Sequence, residues 1–253
     1  MTMSSAEYPP VPPFHSIRLA GALDIERIAR ISVTGFRDSE IFRYERPRYA
    51  EFPEDAIASF ANIYRAQLLD PLAVVIVAQD WPNSTDGDAD RSGTSGQHVV
   101  VGVASWRLPE TSPRQGQFVV PGVGDPRPAP NRDLCQHRLD LFSRITQETE
   151  NKYFAGKNIC DKLVVHPSYR RRGHATSMLE WGLRLCDQDG IDQGVIPSHM
   201  GERVYLGLGY KVVGEMHVPD EGTAQGFTQR VAVYTANEAK ERAEGDTGGE
   251  AAV

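Results

Sequence analysis

The chain has 253 residues, enough for one domain with embellishments or at most two small ones, and its 40% hydrophobic content is sufficient for a buried core. A net charge of −7 argues against nucleic acid as the main partner, because affinity there comes chiefly from neutralising phosphates, but it permits a cationic amine. No apolar run approaches the roughly 20 residues of a membrane helix, so no membrane partner is expected.

Residues 1–14 contain four prolines and little that can pack, and are expected to form a tail without the basic start and apolar stretch of a secretion signal. His15 to Leu19 is a short strand candidate. Asp24 is placed to cap a helix on which Ile25, Ile28, Ala29, Ser32 and Phe36 recur at helical spacing. Pro53 suits a first helical position, with Glu54 and Asp55 behind it and Ile57, Phe60, Ala61, Tyr64 and Leu68 continuing one face. Leu72 to Gln79 reads as a buried strand and Val99 to Trp106 as its returning partner, with a polar loop at 81–97 between them. Residues 108–130, rich in proline and glycine, predict an irregular insertion. Asn131 or Asp133 can cap the next helix, which carries Leu134, Arg138, Leu141 and Ile145. A strand from Ile159 to Val165 follows. A helix then starts at Gly173, with Ala175, Met178, Leu179, Gly182, Leu183 and Cys186 on one face. After a short strand at Gln193 to Ile196, Ser198 can cap a brief helix that ends near Gly209. Two strands, Tyr210 to Val218 and Phe227 to Tyr234, precede a charged, glycine-rich tail at 236–253. This order predicts an α+β protein, a mixed layered sheet covered by helices, in a single domain spanning 15–235.

The segment from Lys162 to Cys186 carries the chemistry. A strand runs into a tight polar turn, and a helix begins directly after it. Arg170 to Thr176 then present successive backbone N–H groups at a helix N-terminus, where unpaired donors and the helix dipole attract an anion. Gly173 allows close approach, Ala175 keeps the first turn slim, and Arg170, Arg171 and Arg172 add positive charge. An isolated arginine triplet is only a solvated basic cluster; one bounded by a strand and a helix-starting glycine suits an anion site better. A dinucleotide fold is disfavoured by the lack of GxGxxG and by the central hairpin.

The stretch VVHPSYRRRGHATSMLEWGL resembles the pyrophosphate-binding signature of the GNAT superfamily of acyl-CoA N-acyltransferases: Gln or Arg, two residues, Gly, one residue, then Gly or Ala. Arg170, Gly173 and Ala175 meet it. PSHMGERVYLGLGYKVVGE is similar to the family's second region, a short tyrosine-bearing helix, and the order of elements extends the resemblance more weakly over about 15 to 235. The resemblance implies a mostly antiparallel, splayed sheet flanked by helices and acetyl-CoA as the acyl donor. Leu163, Val164 and Val165 are then expected to hold the pantetheine arm, and residues 170–176, with His174 and Thr176 among them, the pyrophosphate. A backbone N–H near Val164 or Val165 is placed to stabilise the oxyanion. It also implies direct transfer to a primary amine without an acyl-enzyme intermediate.

Tyr205 matches the family tyrosine and is the expected general acid toward the departing thiolate. Asp161 is the candidate base: an even number of residues from Leu163 and Val165, it is expected to share their face, opposite Cys160, and to have a raised pKa. A sheet-edge or salt-bridging aspartate is the equal alternative. Ser198 falls where the family places a polar residue that contacts the cofactor, and it reads equally well as an N-cap. His166 and His174 flank the turn, and His199 is an outside candidate. Cys135, Cys160 and Cys186 form no CxxC pair, so neither a metal site nor a disulfide framework is indicated, and a reducing, cytoplasmic setting is expected. The acceptor is expected to be a small-molecule amine bound by a monomer or homodimer, in a pocket lined by Phe36, Phe42 and Tyr44 and covered by the 108–130 insertion. Asp38 and Glu40 lie nearby in sequence. The alternatives are a peptide or lysine acetyltransferase and a non-catalytic acyl-CoA-binding module.

Overall fold

The computed structural model describes residues 16–86 and 98–236. The expected tails, apart from Ala236, and most of the 81–97 loop lie outside these described residues. Strands β1 (Ile17–Leu19), β2 (Ala73–Asp80), β3 (Val99–Arg107), β4 (Asn158–Val165), β5 (Gln193–Val195), β6 (Lys211–Val218) and β7 (Phe227–Tyr234) form one sheet in the order β1-β2-β3-β4-β5-β7-β6. The β4–β5 pair is parallel and the other neighbours are antiparallel. The mixed, mostly antiparallel sheet expected from the sequence is therefore present.

Helices α1 (Ile25–Phe36) and α3 (Pro53–Leu69) pack together over one face, and α5 (His174–Asp189) covers the other. This explains why β2 reads as continuous apolar sequence. Val74, Ile76 and Ala78 join Trp106, Met178 and Trp181 in the core under α5, while Val75 and Val77 join Ile28, Phe60 and Tyr64 beneath α1 and α3. Helix α4 (Gln136–Tyr153) covers β6 and meets α2 (Glu40–Glu45); α6 (Glu202–Gly207) packs on α5. The six-residue α2 is not anticipated by hydrophobic periodicity. Its cap is the local signal, since Ser39 Oγ accepts the Phe42 N–H at 3.3 Å.

Three expected caps are instead engaged elsewhere. The Asp24 carboxylate accepts from the Gly21 N–H and from Arg18, at 2.7–2.8 Å, and makes no cap bond to α1. Asp133 pairs with Arg46, so α4 starts after Cys135 without a side-chain cap. Helix α6 starts after Gly201, and Ser198 contributes its carbonyl, which accepts from the Gly201 and Glu202 N–H groups. In each case a partner distant in sequence, or the backbone itself, satisfies the group the local pattern assigns to the cap.

The 108–130 insertion is irregular as expected, but its place differs. Arg114 Nε donates to Asp189 Oδ2 at 2.6 Å, Phe118 meets Trp181 edge-on, and the Val120 N–H donates to Leu68 O. The insertion is thereby fixed to the C-terminal ends of α5 and α3.

Candidate active site

Pairing between β4 and β5 covers only Asn158 with Gln193 and Ile159 with Gly194. Beyond that point the strands part, and the edge of β4 toward β5 is left without a strand partner. Two cavities meet along this edge. One, of about 460 Å³, runs past Leu163, Val164 and Val165 to the turn before α5. The other, of about 530 Å³, lies between β4, α2, α3, α4 and α6. Phe36, Leu163, Ser198 and Gly201 line both.

The turn is built as an anion cradle. The first backbone bond of α5 runs from the Ser177 N–H to Gly173 O at 2.9 Å, leaving the N–H groups of His174, Ala175 and Thr176 without helical acceptors. Ahead of them Arg171 (φ 65°) and Gly173 (φ 87°) are left-handed, a conformation that turns successive N–H groups inward. Arg170, Arg171, Gly173, His174, Ala175 and Thr176 all line the first cavity. This row of donors fits a pyrophosphate. The arginines act less uniformly than the sequence suggests. Arg170 Nη2 donates to Gly35 O at 2.9 Å, tying the turn to α1. Arg172 is not among the cavity's lining residues: it pairs with Asp80 at 2.9 Å and lies over the Tyr169 ring.

Gly35 lets α1 approach β4 at this place. A methyl group there would run into Val164 Cγ2, a buried β-branched side chain with little room to turn. Overpacking costs about 1–3 kcal/mol, more than the roughly 1 kcal/mol that alanine gains over glycine in a helix. Gly35→Ala is therefore expected to lower the denaturation midpoint, and Val164→Ala in the same chain to recover part of the loss.

The second cavity is walled chiefly by Phe36, Ile41, Phe42, Phe60, Ile63 and Phe142. Two expectations about its walls are corrected. Tyr44 faces away, packing edge-on against Phe227, and the 108–130 insertion does not reach the cavity; Asn131 and Leu134, just after it, do. Tyr205 lines the cavity from α6, with its hydroxyl 3.5 Å from Cys160 Sγ. Burial holds the Tyr205 phenol well above its ordinary pKa, so it stays protonated. Burial likewise pushes the Cys160 thiol up to about 12, which leaves it unsuited to act as a nucleophile.

Asp161 departs from its expected geometry. Ser105 pairs with Lys162 and Trp106 with Cys160, so Asp161 is an extra residue bulged out of the ladder. The bulge shifts the alternation. Cys160 joins Val165 and Leu163 on the α5 side, while Asp161 accepts from Gln67 of α3 at 2.7 Å. Its expected raised pKa is also not met. Burial pushes the carboxyl up, but Lys162 at 2.5 Å, with Arg107 and Gln67, holds it below its ordinary value. The three candidate histidines are each near a carboxylate, His166 by Asp86, His174 with Asp80 and His199 with Glu40, and none lines the second cavity.

The residue missed in the sequence is Glu45, at the end of α2. Three carboxylates line the second cavity: Glu45, Glu150 and Asp161. Glu150 pairs with Arg107 at 2.6 Å and Asp161 with Lys162. Among the described residues the Glu45 carboxylate has no hydrogen bond or ion pair. Burial raises it to about 7, against the pull of the Arg46 and Lys162 charges. It therefore binds its proton more tightly folded than unfolded, and its contribution to stability falls as pH rises from about 4.5 to about 7. Urea midpoints measured across this window should show that decline in the wild type relative to Glu45→Gln.

A parted β4–β5 pair with an anion cradle at the following helix and a walled cavity beside it defines an acyl-CoA-type transferase site. No family model matches the chain. An acetyltransferase of Stachybotrys chartarum is 62% identical over 232 residues, covering 92% of this chain and 96% of that protein. Among solved structures, a Corynebacterium glutamicum protein described as histone acetyltransferase HPA2 and related acetyltransferase superposes with a TM-score of 0.54, at 16% identity over 87% of this chain and 95% of its own. The mosquito arylalkylamine N-acetyltransferase like 5b gives 0.51, at 12% identity over 87% and 98%. The chain belongs to the GNAT family of acetyltransferases.

Proposed function

We propose that the protein transfers the acetyl group of acetyl-CoA directly to the nitrogen of a primary amine carried on a small molecule. The observation that carries this reading is the meeting of the two cavities along the unpaired edge of β4. One has a row of backbone donors suited to the pyrophosphate, and the other is a walled pocket of about 530 Å³, a size that suits a small molecule. That the mosquito neighbour is described as arylalkylamine N-acetyltransferase like 5b agrees with such an acceptor.

Acetyl-CoA supplies an activated acetyl thioester. The 171–176 backbone binds the diphosphate, with Arg170 bracing the turn through Gly35. Leu163 to Val165 hold the pantetheine arm, and Ser198, which lines both cavities, contacts it where they join. Tyr205 gives its phenolic proton to the departing sulfur. Asp161, held ionised by Lys162, positions that lysine at the wall and accepts from Gln67 of α3 behind it. Cys160 remains a thiol, which favours direct transfer.

Calorimetry with acetyl-CoA tests the first cavity; absence of binding would falsify the whole reading. Thiol release over a panel of small amines and amino-terminal and lysine peptides then tests the acceptor. Faster turnover of the peptides would replace the small molecule with a polypeptide.

A further inference from the structure

Glu45 is isolated in a way the other charged groups around it are not. Each neighbouring cation has a carboxylate of its own: Arg46 pairs with Asp133 at 2.5 Å and also donates to Ser59, while Lys162 pairs with Asp161. Arg107, across the wall, is taken by Glu150. A carboxylate turned toward a cavity without a partner costs desolvation energy, and that cost is relieved when a cation fills the space. The walls around it are chiefly aromatic and aliphatic, contributed by Phe42 and Ile41 of α2, Phe60 and Ile63 of α3, and Leu139 and Phe142 of α4, with Ser59, Thr146 and Gln229 among the neutral polar groups between them. One free negative charge within a mainly apolar enclosure matches a molecule with one positive charge on an apolar body.

We propose that this cavity takes a hydrophobic primary amine, aromatic or long-chain aliphatic, with its ammonium group seated on the Glu45 carboxylate, which accepts the proton the amine must shed. The inference rests on the acetyltransferase reading and names its acceptor class. The ammonium gives one proton to Glu45, freeing the nitrogen lone pair. The nitrogen forms a bond to the acetyl carbon as the carbon–sulfur bond breaks. The sulfur takes the Tyr205 proton, the phenolate recovers the second proton from the nitrogen, and Glu45 releases its own to water. The products are the amide, free thiol and one proton. An acceptor with several charges or a polar body would leave groups unpaired against the phenylalanines.

Binding is read first without an acyl donor, by calorimetry of the full chain with phenethylamine, hexylamine and ethanolamine. Phenethylamine should bind about 30- to 100-fold more tightly than ethanolamine, reflecting burial of the ring. Glu45→Gln should weaken phenethylamine about 10- to 100-fold and leave acetyl-CoA affinity within about twofold, with Glu45→Asp in between. In thiol release, kcat/KM for phenethylamine should rise as pH passes through about 7 in the wild type, where the carboxyl ionises, and lose that limb in Glu45→Gln. Equal binding of ethanolamine and phenethylamine overturns the apolar acceptor. Unaltered phenethylamine binding and an unaltered pH limb in Glu45→Gln overturn the seat. Failure of acetyl-CoA to bind overturns the acetyltransferase reading by itself, and the donor-free amine titrations still decide the pocket.

Discussion

Replacing Tyr205 with phenylalanine is expected to lower kcat by about 10²- to 10⁴-fold, the range of a lost general acid, while acetyl-CoA affinity changes little. Tyr205 sits on the short helix α6, one turn beyond Gly201, which lines both cavities. Its hydroxyl meets Cys160 Sγ at 3.5 Å and, among the described residues, has no carboxylate or cation in hydrogen-bond contact, so burial first, with Cys160 and Tyr210 beside it, keeps the proton in place. Cys160 beside it also keeps its proton, its thiol pushed up to about 12 by burial. Phenylalanine keeps the edge-on packing against Tyr210 and removes only the oxygen, so the melting temperature is a control for the fold. The defect should shrink when the donor is a thioester of a more acidic thiol, whose sulfur leaves without a proton. Unchanged turnover at every pH, or a defect equal for both donors, would remove Tyr205 as the acid.

The contrast between Tyr205 and Asp161 shows what was legible in the sequence. The cradle at 171–176 could be read because it is local: a strand end, a left-handed glycine and a helix start lie within a few residues of one another. Tyr205 is marked by the resemblance to the family's tyrosine-bearing helix, whose expected end at Gly209 is indeed left-handed with φ 93°. The orientation of Asp161 could not be read from β4 alone. Strand alternation predicts its face correctly only while the ladder is regular, and the bulge is a property of pairing with Ser105 and Trp106 on another strand. Glu45 was invisible for a related reason. Its character comes from Arg46 and Lys162 being claimed by Asp133 and Asp161, contacts between elements far apart in the chain. The caps at Asp24 and Asp133 and the pairing of Arg172 were misread in the same way, because a charged side chain near a helix end takes the strongest partner that the fold brings to it. The six residues of α2 are too few for an apolar period, leaving Ser39 as their sole local mark.

The Arg46–Asp133 pair makes the second large effect. Arg46 Nη1 meets Asp133 Oδ2 at 2.5 Å, and the side chains are only 5% and 0% exposed. The guanidinium lies 5.6 Å from the Phe42 ring centre and 5.3 Å from that of Phe60, two walls of the second cavity, and its Nη2 donates to Ser59 of α3. The pair thus ties α2 to α3 and to the segment leading into α4. Asp133→Ala leaves the guanidinium buried with the Ser59 hydroxyl as its remaining hydrogen-bond partner, a loss of about 3–5 kcal/mol. For a chain of this size that corresponds to a fall of roughly 6–20 °C in melting temperature. Replacing both members with apolar side chains, Arg46→Met with Asp133→Leu, should recover most of the loss. The double change removes the desolvated charges together, including Asp133 Oδ1, which is buried without a hydrogen-bond partner. The amine KM should still rise in the double variant, because Phe42 and Phe60 lose the cation stacked against them and Glu45 loses a nearby positive charge. A single variant that melts within about 2 °C of the wild type would show that Ser59 and the two rings suffice to hold the guanidinium, and that the cavity wall does not depend on Asp133.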